Sequence, residues 1–247
     1  MDLSDEQLLR YSRQILLPQF DVQGQERLLQ ATVLIFGLGG LGSPVSLYLA
    51  ASGIGKLILV DPDHVDLSNL QRQIVHSEAT VDLPKVNSAQ QRLQAINASI
   101  EIKTHQQAFT GEALVALIQQ ADLVLDCTDN LATRLAINAA CVQAKKPLVS
   151  AAAIRFEGQI GVFQATETSP CYQCFYGKVV DLPQTCTTNG VLGPVLGVLG
   201  SMQAIEAIKL LTQIGEPLVG RMLLFDALNM EWTAIRVPKR VDCPVCA

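Results

Sequence analysis

The sequence is short of basic residues, and that shortage is the first constraint on what it can do. Lys and Arg number 18 against 23 Asp and Glu, a net charge of −5, whereas a general nucleic-acid binder carries a basic excess. Histidine is scarcer: His64, His76 and His105 show no metal spacing and no partner, and no role is assigned to them. The opening "MDLSDEQLLR" is polar and lacks the apolar stretch of a secretion signal. Only one long apolar run exists, "GVLGPVLGVLGSMQAIEAIKLLTQIG" at 190–215, and its five glycines, Pro194, Glu206 and Lys209 argue for a buried helix over a membrane span. Repeats and low-complexity linkers are missing too. We therefore expect a cytoplasmic protein, with no nucleic-acid or membrane partner, folded as one domain over residues 1–247.

What is present is a substantial core composition, 49% hydrophobic with 17% charged, enough to exclude disorder. Ser4 and Gln7 form a capping-box pattern that starts an N-terminal helix, which places helices over residues 1–30. "ATVLIFG" reads as a strand entering a glycine turn, "SPVSLYLAASG" as a helix and "KLILVD" as the next strand, which together make a βαβ unit. Alternation continues to about residue 153 and predicts a nucleotide-binding half over 31–153. "EGQIGVFQA", "RMLLFDA" and "EWTAIRV" then read as antiparallel strands within 154–247. The fold class is α/β: a Rossmann-like, doubly wound mixed sheet, mostly parallel in its N-terminal half.

The turn "LIFGLGGLGSP" carries Gly37, Gly39, Gly40 and Gly42, and Asp61 follows Gly42 by 19 residues at the end of the next strand. Glycines let a backbone approach phosphate, the following helix offers N–H groups, and the carboxylate can bind ribose hydroxyls. NAD and ATP both satisfy that fingerprint. The next segment, with Ser68, Asn69, Leu70, Gln71 and Arg72, and then Lys85 at a helix start, adds cations. A triphosphate reaction needs these more than a dehydrogenase does, unless they are solvated surface charges. "VLDCTDN" brings Asp126, Asp129 and Asn130 to another strand end, a natural magnesium position, although Asp129 could equally cap the following helix.

Seven cysteines, an odd number, discourage a fully paired disulfide framework. Cys171–Cys174 and Cys243–Cys246 form two C-x-x-C pairs with 68 residues between them, whose four thiolates suit a closed structural zinc site. Cys127 and Cys141 lie in apolar contexts and read as core. Cys186, in the polar "LPQTCTTNG", is the one candidate nucleophile.

"RYSRQILLPQF", "LIFGLGGLGSP", "DLSNLQRQIVH", "LPKVNSA", "VLDCTDN" and the cysteine pairs occur in this order. The set resembles the bacterial MoeB/ThiF family, relatives of ubiquitin-activating enzymes that adenylylate small sulfur-carrier proteins. The resemblance covers about residues 4 to 246. It implies an adenylyltransferase using ATP and Mg2+, with a structural Zn2+ held by Cys171, Cys174, Cys243 and Cys246. By the same resemblance Gly40 and Asp61 contact the nucleotide, Asn69, Arg72 and Lys85 hold phosphates, and Asp129, beside Asn130, binds magnesium. Arg13 would reach the neighbouring subunit's site in a homodimer, and Cys186 would sit on a loop linked in some members to covalent intermediates.

The implied partner is a ubiquitin-like sulfur carrier ending in Gly-Gly. "SAAAIRFEGQIGVF" favours the small subunit of molybdopterin synthase, with the thiamine-pathway carrier as the alternative. The sequence stops after "CPVCA", so we expect a separate sulfur donor. Two further readings remain at this point: an NAD-dependent dehydrogenase, from the glycine turn and Asp61 alone, and a zinc-stapled scaffold that binds a carrier without activating it.

Overall fold

The computed structural model describes residues 3–164, 166–177 and 190–247. Its centre is one eight-stranded sheet in the order β3-β2-β1-β4-β5-β6-β7-β8. β1 (Thr32–Phe36), β2 (Lys56–Val60), β3 (Glu101–His105), β4 (Leu123–Asp126) and β5 (Leu148–Ile154) run parallel. β6 (Glu157–Phe163), β7 (Arg221–Asp226) and β8 (Glu231–Arg236) continue the sheet antiparallel. The expected change of strand direction after residue 153 is therefore observed.

Side chains on a strand alternate between faces, and the parallel strands are apolar on both. Val33, Ile35, Leu57, Leu59, Leu123 and Leu125 enter one core. Leu34, Phe36, Ile58, Val60 and Val124 enter the other. Helices cover both. On the first face α3 (Gly42–Ser52) packs on α4 (Lys85–Ile96) and on α8 (Gly193–Thr212), which crosses β5 and β6. On the second face α5 (Gly111–Ile118) packs on α6 (Leu131–Ala144), and α6 touches the short α7 (Tyr172–Tyr176).

Local signals explain the boundaries. In α1 (Asp5–Ile15) the Gln7 N–H donates to Ser4 Oγ at 3.2 Å and the Ser4 N–H to Gln7 Oε1 at 3.0 Å, the predicted capping box. α1 packs on α2 (Asp21–Gln30). α3 stops at Gly53, whose φ of 83° is left-handed. The apolar run does form a long helix, α8, but only half of it is buried. Its inner residues Leu199, Gln203 and Ala207 meet the sheet side, while Val198 and Ile205 stay exposed. By length and composition α8 could cross a membrane; here it is a helix lying on a sheet.

Candidate active site

In an open α/β sheet, ligands bind beyond the carboxyl ends of the strands where the strand order reverses. Here that point lies between β1 and β4, and a cavity of about 1120 Å³ opens there. It is lined by Gly37, Gly39 and Gly40 after β1, Asp61 after β2, and Thr128, Asp129 and Asn130 after β4. The cavity then extends past Tyr172 and Tyr176 to Glu157, Asp226 and Glu231 at the antiparallel end. Small-molecule pockets usually occupy about 300–1,000 Å³, so this one has room beyond a nucleotide.

The glycine turn is tight for reasons of packing. Gly37 has φ 88°, and a Cβ on Gly42 would fall 2.0 Å from the Gly37 carbonyl oxygen. Gly42 therefore serves the turn itself and does not line the cavity. Asp61 ties this turn to β2: its Oδ2 accepts the Leu38 N–H at 2.7 Å and its Oδ1 the Asp63 N–H at 2.9 Å. Burial pushes the Asp61 carboxyl above its ordinary range, against the pull of the Lys85 charge and those two N–H groups.

Lys85 opens α4, its side chain almost buried, with Nζ 3.0 Å from Asp63 Oδ2. It is no solvated surface charge. Arg72, half-buried, also lines the cavity, with Nη1 donating to the Ser68 carbonyl at 3.0 Å.

The two carboxylates after β4 divide the work. Asp126 is fully buried: it accepts from Ser150 Oγ at 2.8 Å and Thr128 Oγ1 at 2.7 Å, and lies 3.6 Å from Arg134 Nη1. It is structural. The helix cap falls to Asn130, whose Oδ1 accepts the Thr133 N–H at 2.9 Å. Asp129 is left out of the cap and faces the cavity.

Away from this cavity the four paired cysteines converge, with all four Sγ atoms within 4.8 Å of one another. Separations are 4.0 Å for Cys171–Cys174, 3.7 Å for Cys171–Cys243 and 3.5 Å for Cys174–Cys246. These are far from a disulfide at about 2.05 Å. They match thiolates at the corners of a tetrahedron with Zn–S near about 2.3 Å.

Comparison with known proteins identifies this architecture. The ThiF family profile matches residues 11–245. The chain belongs to the ThiF family. Among its relatives, the molybdopterin-synthase adenylyltransferase of Escherichia coli strain K12 is 49% identical over 99% of this chain and 98% of its own length. The sulfur carrier protein ThiS adenylyltransferase of the same strain is 48% identical over 99% and 97%. Among solved structures, Escherichia coli MccB matches with a TM-score of 0.85 at 26% identity, over 99% of this chain and 75% of that one. The same protein solved with ATP matches with a TM-score of 0.82 at 25% identity, over 96% and 73%. The expected enzyme class, an adenylyltransferase, is borne out, and the dehydrogenase reading falls away.

Within this ThiF-family fold, Gly37, Gly39, Gly40, Asp61, Arg72, Lys85, Asp129 and Asn130 share one cavity. Ser68, Asn69, Leu70 and Gln71 are not among its lining residues. The Asn69 side-chain Oδ1 instead accepts the Asp66 N–H at 3.2 Å, within a single helical turn. Arg13 is exposed on the last turn of α1, outside the cavity of its own chain. Cys186 lies outside the described residues. Cys127 and Cys141 are buried, as expected of core thiols, and burial pushes both of their pKa values up.

Two lining residues escaped the sequence reading. Gln73 is buried beside Gly39, and its Oε1 has no partner among the described residues. Arg134 donates from Nη1 to the Ala151 carbonyl at 2.7 Å and from Nη2 to the Thr128 carbonyl, which fixes the residue before Asp129. Its signal was available: Arg134 is the one charge in the mostly apolar "LATRLAINAACVQA".

Proposed function

We propose that this adenylyltransferase activates the C-terminal glycine carboxylate of a ubiquitin-like sulfur carrier, first of all the small subunit of molybdopterin synthase. The thiamine-pathway carrier is the alternative, and the two named relatives support both. The observation that carries the reading is one cavity lined by the glycine turn, Asp61, Arg72, Lys85 and Asp129.

The carrier carboxylate attacks the α-phosphorus of ATP. A new carboxyl O–P bond forms, the bond to the β-phosphate oxygen breaks, and pyrophosphate leaves with that electron pair. No enzyme nucleophile is needed. Asp61 faces the ribose, and Arg72 and Lys85 supply positive charge where phosphate charge develops. Asp63 holds the Lys85 ammonium in place before substrate arrives. Asp129, free of the α6 cap, fits the single carboxylate that magnesium commonly takes beside phosphate ligands. When bound, magnesium neutralises phosphate charge. The extension of the cavity toward β6, β7 and β8 gives a Gly-Gly tail a route in, and Phe156, Leu228, Met230 and Trp232, exposed at that end of the sheet, suit a protein partner.

The four thiols fit zinc by number, chemistry and spacing, in a closed site whose role is structural. A homodimer agrees with the position of Arg13 and with the exposure of Leu9, Leu16 and Leu17 around the end of α1. Residues 1–247 are read as one domain because a single sheet runs through both halves. A covalent role for Cys186 rests on family resemblance alone.

The test is ATP–pyrophosphate exchange with each candidate carrier in turn. Exchange should require a carrier ending in Gly-Gly. Carrier binding without any acyl-adenylate by mass spectrometry would instead support a non-catalytic scaffold. Mixing inactive Arg13→Ala and Lys85→Ala chains should regain exchange if each site draws Arg13 from its neighbour; no recovery in verified mixed dimers would refute that.

A further inference from the structure

His76 was assigned no role from sequence, yet it is buried where two parts of the site meet. Its Nε2 lies 2.9 Å from the Leu38 carbonyl oxygen and its Nδ1 2.8 Å from Ser88 Oγ, which is itself 2.9 Å from Thr80 Oγ1. A carbonyl can only accept, so Nε2 carries the ring proton and Nδ1 of the neutral ring is left as an acceptor facing Ser88 Oγ, whose one proton it shares with Thr80 Oγ1. Burial favours that neutral ring by lowering its pKa, against the pull of the Leu38 hydrogen bond, and the nearby Lys85 charge acts with burial.

Both partners matter to phosphate. Leu38 stands inside the glycine turn, and its own N–H is taken by Asp61 at 2.7 Å. The Leu38–Gly39 peptide is planar and trans, so a carbonyl fixed toward His76 sends the Gly39 N–H the opposite way. Gly39 and Gly40 line the cavity. Ser88 sits on α4, three residues past Lys85, so the other end of the imidazole holds the helix that presents the ammonium group.

We propose that His76 is a positioning residue for phosphate binding: its bridge from Leu38 to Ser88 sets the Gly39 N–H and the Lys85 side chain as one rigid unit. The inference rests on the ATP reading above. A merely space-filling histidine would be replaced by any side chain of similar volume without changing nucleotide affinity. A bridge needs a donor at the Nε2 position.

The experiment measures ATP and adenosine binding by calorimetry for wild type, His76→Leu and His76→Gln, with exchange kinetics and melting temperature alongside. Leucine supplies volume alone, whereas the glutamine amide can donate from close to the Nε2 position. Loss of this hydrogen bond should raise the ATP Kd and KM of His76→Leu by about tenfold, with kcat less affected. His76→Gln should stay within about threefold of wild type. Adenosine, which lacks phosphates, should bind all three alike.

Unchanged ATP affinity in His76→Leu, equal loss of adenosine, or no recovery in His76→Gln would overturn the inference. Should His76→Leu not fold, Ser88→Ala removes one tie of the same bridge: a phosphate-selective loss supports it and no loss overturns it. Wild-type protein that bound no ATP would overturn the ATP reading itself, a separate result.

Discussion

The two halves of the sheet differ in what they leave uncovered. β1, β2 and β4 are buried along nearly their whole lengths, and only their carboxyl ends open onto the cavity. β8, at the far edge, is exposed at five of its six residues. A parallel sheet must be covered on both faces, so its one opening is a crevice at the strand ends, sized for a small molecule. An antiparallel extension can leave a face to solvent, where a protein can dock. One sheet thus presents two kinds of surface, joined by the cavity that runs between them.

The largest test of this division strikes the crevice. Lys85→Ala and Asp129→Ala should each cut carrier-dependent exchange by about 100- to 1,000-fold while the melting temperature scarcely moves. Normal exchange in both would dissolve the site assignment. Removing the zinc proposed for the cysteine cluster should do the reverse. Chelation should lower the melting temperature by about 10 °C, because the ion binds only the folded arrangement of thiolates. An unchanged melting temperature after verified metal loss would refute a structural zinc.

Arg134→Met should blur the division, because that guanidinium is both core and cavity wall. It leaves Asp126 buried without its cation and should cost about 3 kcal/mol in urea unfolding. The smallest effect is one of pH. Burial holds the His76 pKa below 6.5, so folding favours the neutral ring. Its contribution is complete above pH 6.5 and is lost as the pH falls through the lowered value. Stability measured on the acid side of pH 6.5 should therefore decline less steeply in His76→Gln than in wild type.

Much of this was legible because its signals are local. Strand and helix alternation, the spacing of the turn glycines, Asp61 at a strand end and the paired cysteines are all patterns within short windows. What escaped depends on contacts between distant residues. His76 and Leu38 are 38 residues apart, and Arg134 and Ala151 are 17 apart, so neither pairing is written near either residue. Chemical near-equivalence explains the rest. Asp129 and Asn130 both cap helices well, and only the fold reveals that Asn130 does so here. Asn69 stands three residues before Arg72 in sequence, but its side-chain oxygen closes a local turn with Asp66.

The crowding within the glycine turn also bears on how such a protein can change over generations. A Cβ on Gly37 would meet the Cys127 carbonyl oxygen at 2.8 Å, one on Gly40 would meet Leu196 at 2.4 Å, and one on Gly42 would meet Gly37 itself. No side chain fits at these three positions without moving a neighbour, whereas Gly39 has room for one, its nearest neighbour being Gln73 at 3.6 Å. Side chains are freer to vary at the other end, on β8, which is exposed at five of its six residues. The cavity's glycine end is thus mostly closed to change by its own packing, and its sheet edge is open to it.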